Sequence, residues 1–241
     1  MLPRVLEPET LDRLAPDDPV AQRSRRDLRR VNAFMGARGI LERSMTRALH
    51  GRDTASRSLR VLELGCGDGR QMLGVAEHRG ARWPSVQLDL LDRQPIVDVA
   101  TIAAYAAAGW QARPLVADVL DWASQAGEDE RWDVVVANLF LHHFNGESLR
   151  RVLAGCVARA DALAACEPRR SRFALAASHL IFFLGANAVT RNDGVLSVRA
   201  GFVGRELSDA WPGAQDAWRL DEYDDGLFTH CFCASRPGAR L

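Results

Sequence analysis

The run Val61-Leu62-Glu63-Leu64-Gly65-Cys66-Gly67-Asp68-Gly69 gathers several kinds of chemistry into nine residues. Its first half is apolar and strand-like, yet it carries a carboxylate. Burying that carboxylate costs several kcal/mol (~2–7 even for an uncharged polar group) unless a cation or donor meets it. The glycines then let the backbone approach a ligand closely, where the start of a following helix offers free N–H groups. A dinucleotide fingerprint, G-x-G-x-x-G, would need glycine at position 70, but Arg70 stands there. The spacing G-x-G-x-G therefore favours an adenosine ligand that lacks a pyrophosphate. The amino group of a methionine moiety would suit Glu63.

Other chemistry-bearing residues follow at the ends of apolar runs. Asp92, Asp118, Asn138 and Glu167 each close one, and Asp89 is a weaker competitor inside its run. Each acid also reads as a helix cap or turn former. After Asn138 comes Leu139-Phe140-Leu141-His142-His143-Phe144. Either histidine has the right affinity for a proton to serve as a general base near neutral pH. The alternative is that one of them orders the loop by hydrogen bonding. His179 is a second catalytic candidate, set in the apolar segment Phe173–Val189 together with Phe182, Phe183 and Leu184. Asn32 falls in the apolar stripe of Leu28, Val31 and Met35, where a polar group must find a partner.

These residues need a scaffold, and the pattern supplies one. Apolar runs at 59–64, 86–91, 112–117, 133–137 and 162–166 alternate with helical periodicity. Such alternation predicts an α/β fold: a single Rossmann-like, doubly wound parallel sheet whose ligands bind beyond the carboxyl ends of the strands. Runs at 218–222 and 227–233 flank Asp224-Asp225-Gly226, which predicts a closing antiparallel hairpin and seven strands in all. The valine-rich fourth run suits a strand buried on both faces. Residues 1–58 read as an arm without its own core followed by a helical lid, with helices from about Ala21 and over 40–50. A polar stretch, Gly51 to Ser58, separates them from the main domain, 59–241. The apolar segment bounded by Arg172 and Arg191 reads as a pocket-lining helix slightly too short to span a bilayer, inside a substrate insertion at about 168–200.

Composition narrows the classes. Thirty-one basic and thirty-one acidic residues cancel, so no overall field draws the chain to nucleic acid. Every basic residue is arginine, which excludes Schiff-base and P-loop lysine chemistry. Five cysteines without a C-x-x-C pair read as packing thiols, and the start of the chain lacks the apolar core of a signal peptide. A cytoplasmic location is expected, with no transmembrane segment and at most peripheral membrane contact. No metal set is expected, and the chain reads as a monomer or homodimer.

The motif LELGCGDG resembles the glycine-rich motif of class I S-adenosylmethionine-dependent methyltransferases, and the resemblance covers roughly 59–233. It implies S-adenosylmethionine as cofactor and S-adenosylhomocysteine as product. Glu63, Gly65, Cys66, Gly67 and Gly69 would face the methionine moiety, as would Asn138 and Leu139. Asp92 and Arg93 would take the ribose, and Asp118 and Val119 the adenine. The stretch from Asn138 to Phe144 is similar to that of small-molecule methyltransferases, including the quinone type, and the chain as a whole resembles bacterial methyltransferases of phenolic-lipid and polyketide pathways. The apolar segment, where this family commonly builds its substrate pocket, implies a small hydrophobic acceptor methylated on oxygen or carbon, with Asn32, Met35 and Phe183 as substrate residues. The resemblance does not extend to the Asn-Pro-Pro-Tyr motif of nucleic-acid amino-methylating enzymes. The rival expectation is a cofactor-holding but catalytically silent regulatory protein.

Overall fold

The computed structural model describes residues 2–52, 57–79, 83, 85–125 and 130–237. Seven strands form one sheet: β1 (Leu59–Leu64), β2 (Val86–Asp92), β3 (Trp110–Val116), β4 (Val134–Asn138), β5 (Ala162–Pro168), β6 (Arg219–Asp225) and β7 (Thr229–Ser235). Their order is β3-β2-β1-β4-β5-β7-β6, with β7 antiparallel to both neighbours and the rest parallel. The order reverses between β1 and β4, so the crevice of an open α/β sheet opens above that pair. In β4 the residues Val134, Val135, Val136 and Ala137 are fully buried, as central strands covered on both faces require.

Helices cover both faces. On one side α2 (Ala37–Ala48), α3 (Arg70–Arg79) and α4 (Val99–Ala107) pack on Val61, Leu88, Val136 and Cys166. On the other side α5 (Val119–Ser124), α6 (Gly146–Arg159) and the region of Trp211 and Trp218 pack on Leu62, Leu64, Val135 and Phe232. The five cysteines are free and buried. The second helix of the N-terminal region is therefore core: Leu41, Met45 and Ala48 sit at or near zero exposure against β5 and β7. The polar boundary stretch Gly51 to Ser58 lies partly outside the described residues, at 53–56.

The segment expected as one helix over 173–189 is instead broken. The helix α7 (Arg172–Ser178) stops where Ser178 Oγ bonds the carbonyl of Leu175. A 3-10 turn over Ile181–Leu184 follows, and Gly185 reverses the chain at φ 76°. Asn187 then caps α8 (Ala188–Ala200), its side chain accepting from the Thr190 N–H. The exposure of Phe173, Leu180 and Phe183 (57%, 57% and 73%) puts these groups on the surface instead of inside a pocket. The closing hairpin turns at Gly226 (φ 73°), and its strands lie a few residues later than the apolar runs suggest. Among the described residues no helix is long and apolar enough to cross a membrane.

Candidate active site

A cavity of about 530 Å³ lies beyond the carboxyl ends of β1, β2 and β4. Its floor is Gly65, Cys66 and Gly67 of the glycine loop, while Gly69, expected with them, lies off the wall with its carbonyl accepting from Tyr105 Oη (2.6 Å). Gly65, Gly67 and Gly69 all take positive φ (65°, 55° and 72°), which side-chain-bearing residues reach only with strain. At Gly65 the reason is also steric, since a Cβ there would lie 2.0 Å from the Phe140 ring. Gly65→Ala is therefore expected to cost about 2–3 kcal/mol from overpacking and backbone strain together. A urea unfolding curve would check this, and an unchanged midpoint would show that the Phe140 ring can move aside.

Glu63 points from β1 into this cavity and is 2% exposed. Its Oε2 has no hydrogen-bond partner, and burial, reinforced by Asp68 and Asp92, pushes its pKa up to about 8. Such a group is poised for a cationic partner: an ammonium brought beside it would repay the burial and restore its charge. Asn32 Oδ1, on α1 (Pro19–Phe34), is the other buried, unpartnered oxygen on the cavity wall. Two unmet acceptors in one cavity fit the amino end of a methionine moiety.

The acidic residues at the next strand ends arrive as the spacing requires. Asp92 accepts from the N–H groups of Gly67 (2.9 Å) and Gln94 (2.9 Å), which pins its carboxylate at the cavity wall. Each oxygen keeps a second lone pair for a vicinal diol. Asp118 caps α5 through Leu120 N, and with Val119 it lines the far side of the cavity. Its capping and ligand-binding readings are compatible. Arg93 lines the cavity and donates to the carbonyl of Asp12 (2.5 Å). Cys66, Asn138 and Leu139 complete the wall. Leu139 is the one non-glycine residue with positive φ (54°) among those described, a strained turn where β4 meets the site.

The two histidines have different surroundings. His142 is buried behind the wall, with Nδ1 2.8 Å from Glu167 Oε2 and Nε2 3.3 Å from Glu9 Oε1. Despite the cost of burial, these two carboxylates push its pKa up to about 9, so it is an imidazolium at neutral pH. Glu167 also accepts from the N–H groups of Phe140, Leu141 and His142, which fixes the whole turn. His143 lines the cavity, its ring centroid 4.2 Å from that of His142. Burial and the adjacent His142 charge hold His143 below the ordinary imidazole range, so it stays neutral. Glu9, His142 and His143 bring ligand-type atoms within 4.8 Å of one another, each engaged in the contacts just described.

The remaining candidates lie elsewhere. His179 caps the C-terminus of α7, is exposed, and does not line the cavity. Met35 sits at the end of α1, one turn beyond Asn32, where the chain turns away at Gly36 (φ 68°), and it is not on the cavity wall. Phe183 belongs to the 3-10 turn on the outer flank of α1 and is likewise off the wall. The side chain of Phe182 lies outside the described residues. Glu167 stands out in the sequence as an acid closing an apolar run, but its hold on His142 does not, and one participant is missed altogether. Glu9, in a proline-rich arm, carries no sequence signal.

Residues 62–162 match the family described as a methyltransferase domain. The structure resembles the plantazolicin methyltransferase BpumL in complex with SAH (TM-score 0.64, 11% identity, 91% of each chain covered). It also resembles an O-methyltransferase family protein from Burkholderia thailandensis (TM-score 0.51, 19% identity, 87% of this chain and 60% of that one). By sequence, no curated protein matches the chain. Through the matched domain, the sheet order and the glycine loop, this chain is similar to the class I S-adenosylmethionine-dependent methyltransferases over residues 62–162.

Proposed function

We propose that this protein transfers a methyl group from S-adenosylmethionine to the oxygen or carbon of a small, hydrophobic, phenolic or polyketide-like acceptor. The observation that carries this reading is the convergence of Glu63, Asp92, Asp118 and neutral His143 on one cavity at the sheet's switch point. When bound, the cofactor supplies an electrophilic methyl group on a sulfonium centre. Glu63 and Asn32 would hold its amino end, Asp92 its ribose hydroxyls, and Asp118 with Val119 its adenine. A wall of carboxylates suits a cationic ligand electrostatically.

The protein's part in the chemistry is alignment, exclusion of water and removal of one proton. Leu6, Leu11, Leu28, Phe140 and Phe144 give the cavity apolar surface beside His143, which supports a hydrophobic acceptor. Neutral His143 would take the acceptor's proton on its ring. His142, already charged and bonded on both nitrogens, would not.

The test is calorimetric titration of S-adenosylhomocysteine into the protein and into Asp92→Ala, followed by a methylation screen of lipophilic phenols. Losing a bidentate, charge-assisted contact is expected to weaken binding about 10- to 100-fold. Equal affinity in the two proteins would remove Asp92 from the site. A screen that methylated only peptides or nucleic acids would overturn the acceptor class.

A further inference from the structure

The N-terminal arm is tied across the mouth of the cavity by contacts spread along its length. Arg4 donates to the carbonyls of Ala200 (2.7 Å) and Phe144 (2.8 Å), and Val5 N to the carbonyl of Arg199 (3.1 Å). The N–H groups of Thr10 and Leu11 both end on the Asp193 carboxylate (3.0 and 2.9 Å). Between and beyond these anchors two acidic side chains reach the histidines. Glu9, bonded to Ser197 Oγ, faces His142 Nε2 at 3.3 Å. Asp12 Oδ2 stands 3.5 Å from His143 Nδ1.

We propose that the arm completes the catalytic site, with Glu9, acting through His142, and Asp12, facing His143, as positioning residues that set the orientation and tautomer of the His143 ring. This rests on the reading of His143 as the proton acceptor.

A neutral imidazole carries one proton, and its place is set by what faces each nitrogen. The Asp12 carboxylate favours that proton on Nδ1, leaving Nε2 unprotonated for an acceptor hydroxyl. At 3.5 Å the contact is long, as catalytic contacts often are before the reacting complex forms. His142 forms the back support of the same ring. Glu167 alone would hold only its Nδ1 side, and Glu9 pins the Nε2 side. The charged groups around the pair are therefore Glu9, Asp12 and Arg4 from the arm, Glu167 from β5, and Arg93 beyond β2. From α8, Asp193 and Ser197 act on the arm itself.

Both side chains belong to a segment that is otherwise a loop, with only a 3-10 turn at Leu11–Arg13. Release of the arm would remove both carboxylates together and open the cavity at the same time. Entry of ligand and completion of the site are thus coupled through a single segment.

The experiment uses protein labelled with 15N in histidine, without any acceptor, and compares it with Glu9→Gln and Asp12→Asn. In the unaltered protein the nitrogen spectrum should give His143 as the Nδ1-protonated neutral tautomer. It should give His142 as doubly protonated, with a midpoint near 9. In Glu9→Gln the His142 midpoint should move down towards the ordinary imidazole range. In Asp12→Asn the Nδ1-protonated signal of His143 should give way to a mixture of tautomers. The Asp193 anchor remains in both variants, so an unchanged melting temperature would separate these effects from loss of the arm. Spectra of both variants indistinguishable from the parent would overturn the proposal. Because the readout needs no turnover, it can fail while His143 remains the base. Conversely, a normal spectrum combined with an active His143→Ala would sink the base reading and leave the positioning contacts standing.

Discussion

His143→Ala is expected to lower turnover of a phenolic acceptor about 10²- to 10⁴-fold, the range that general-base removal usually costs. Affinity for S-adenosylhomocysteine should stay within about twofold, because the contacts proposed for the cofactor lie on Glu63, Asp92 and Asp118, which line the cavity. The separation of these two readouts is the point of the experiment. If both fell together, His143 would be part of the cofactor wall. If neither fell, the proton would leave by another route, as it can from an acidic carbon. The pH dependence has a definite sign. Burial and the His142 charge hold His143 below the ordinary imidazole range. Turnover of the unaltered protein should therefore persist below pH 6.5 before His143 becomes protonated. A fall beginning well above that value would mean that His143 is not the titrating base.

Glu167→Ala is expected to destabilise the fold by about 3–5 kcal/mol, the usual cost of leaving a buried charge without its partner. The Glu167 carboxylate has no exposed surface and accepts four hydrogen bonds, three from backbone N–H groups and one from His142. The linkage argument gives the same order. His142 is raised from 6.5 to about 9, and each unit is worth about 1.4 kcal/mol, so its contacts with Glu167 and Glu9 together contribute about 3 kcal/mol net of burial. Because the folded-state pKa is the higher one, that contribution is fully present below about 6.5. It is lost as pH rises through about 9. Denaturant unfolding at pH 6 and at pH 10 would therefore show a larger gap between the parent and Glu167→Ala at pH 6. A gap that did not change with pH would mean that His142 is neutral when folded and that the loss is one of hydrogen bonds alone.

What was legible in the sequence was local. Alternating apolar runs and helical periodicity determined the sheet, because a strand or helix must bury a face whose period is written in the chain. The glycine loop and the acids at the ends of β2 and β3 were readable for a similar reason. A strand end in a parallel sheet has a fixed place relative to the ligand crevice, so position along the chain becomes position in space. The boundaries shifted by a few residues where one torsion decided them, as at Gly226.

What only the structure decided was of two kinds, one local and one long-range. Composition made 173–189 look like one helix, but Ser178, Gly185 and Asn187 are stop and cap residues whose local bonds outweigh it. The two histidines are adjacent in sequence and similar in type, so no pattern could rank them. Their difference comes from Glu167, 25 residues away, and Glu9, 133 residues away. Electrostatic environment is a property of distance in space. The sequence by itself determined the strands of the sheet and where the glycine loop lies. The fold decided which histidine is charged, because that depends on carboxylates brought from β5 and from the N-terminal arm.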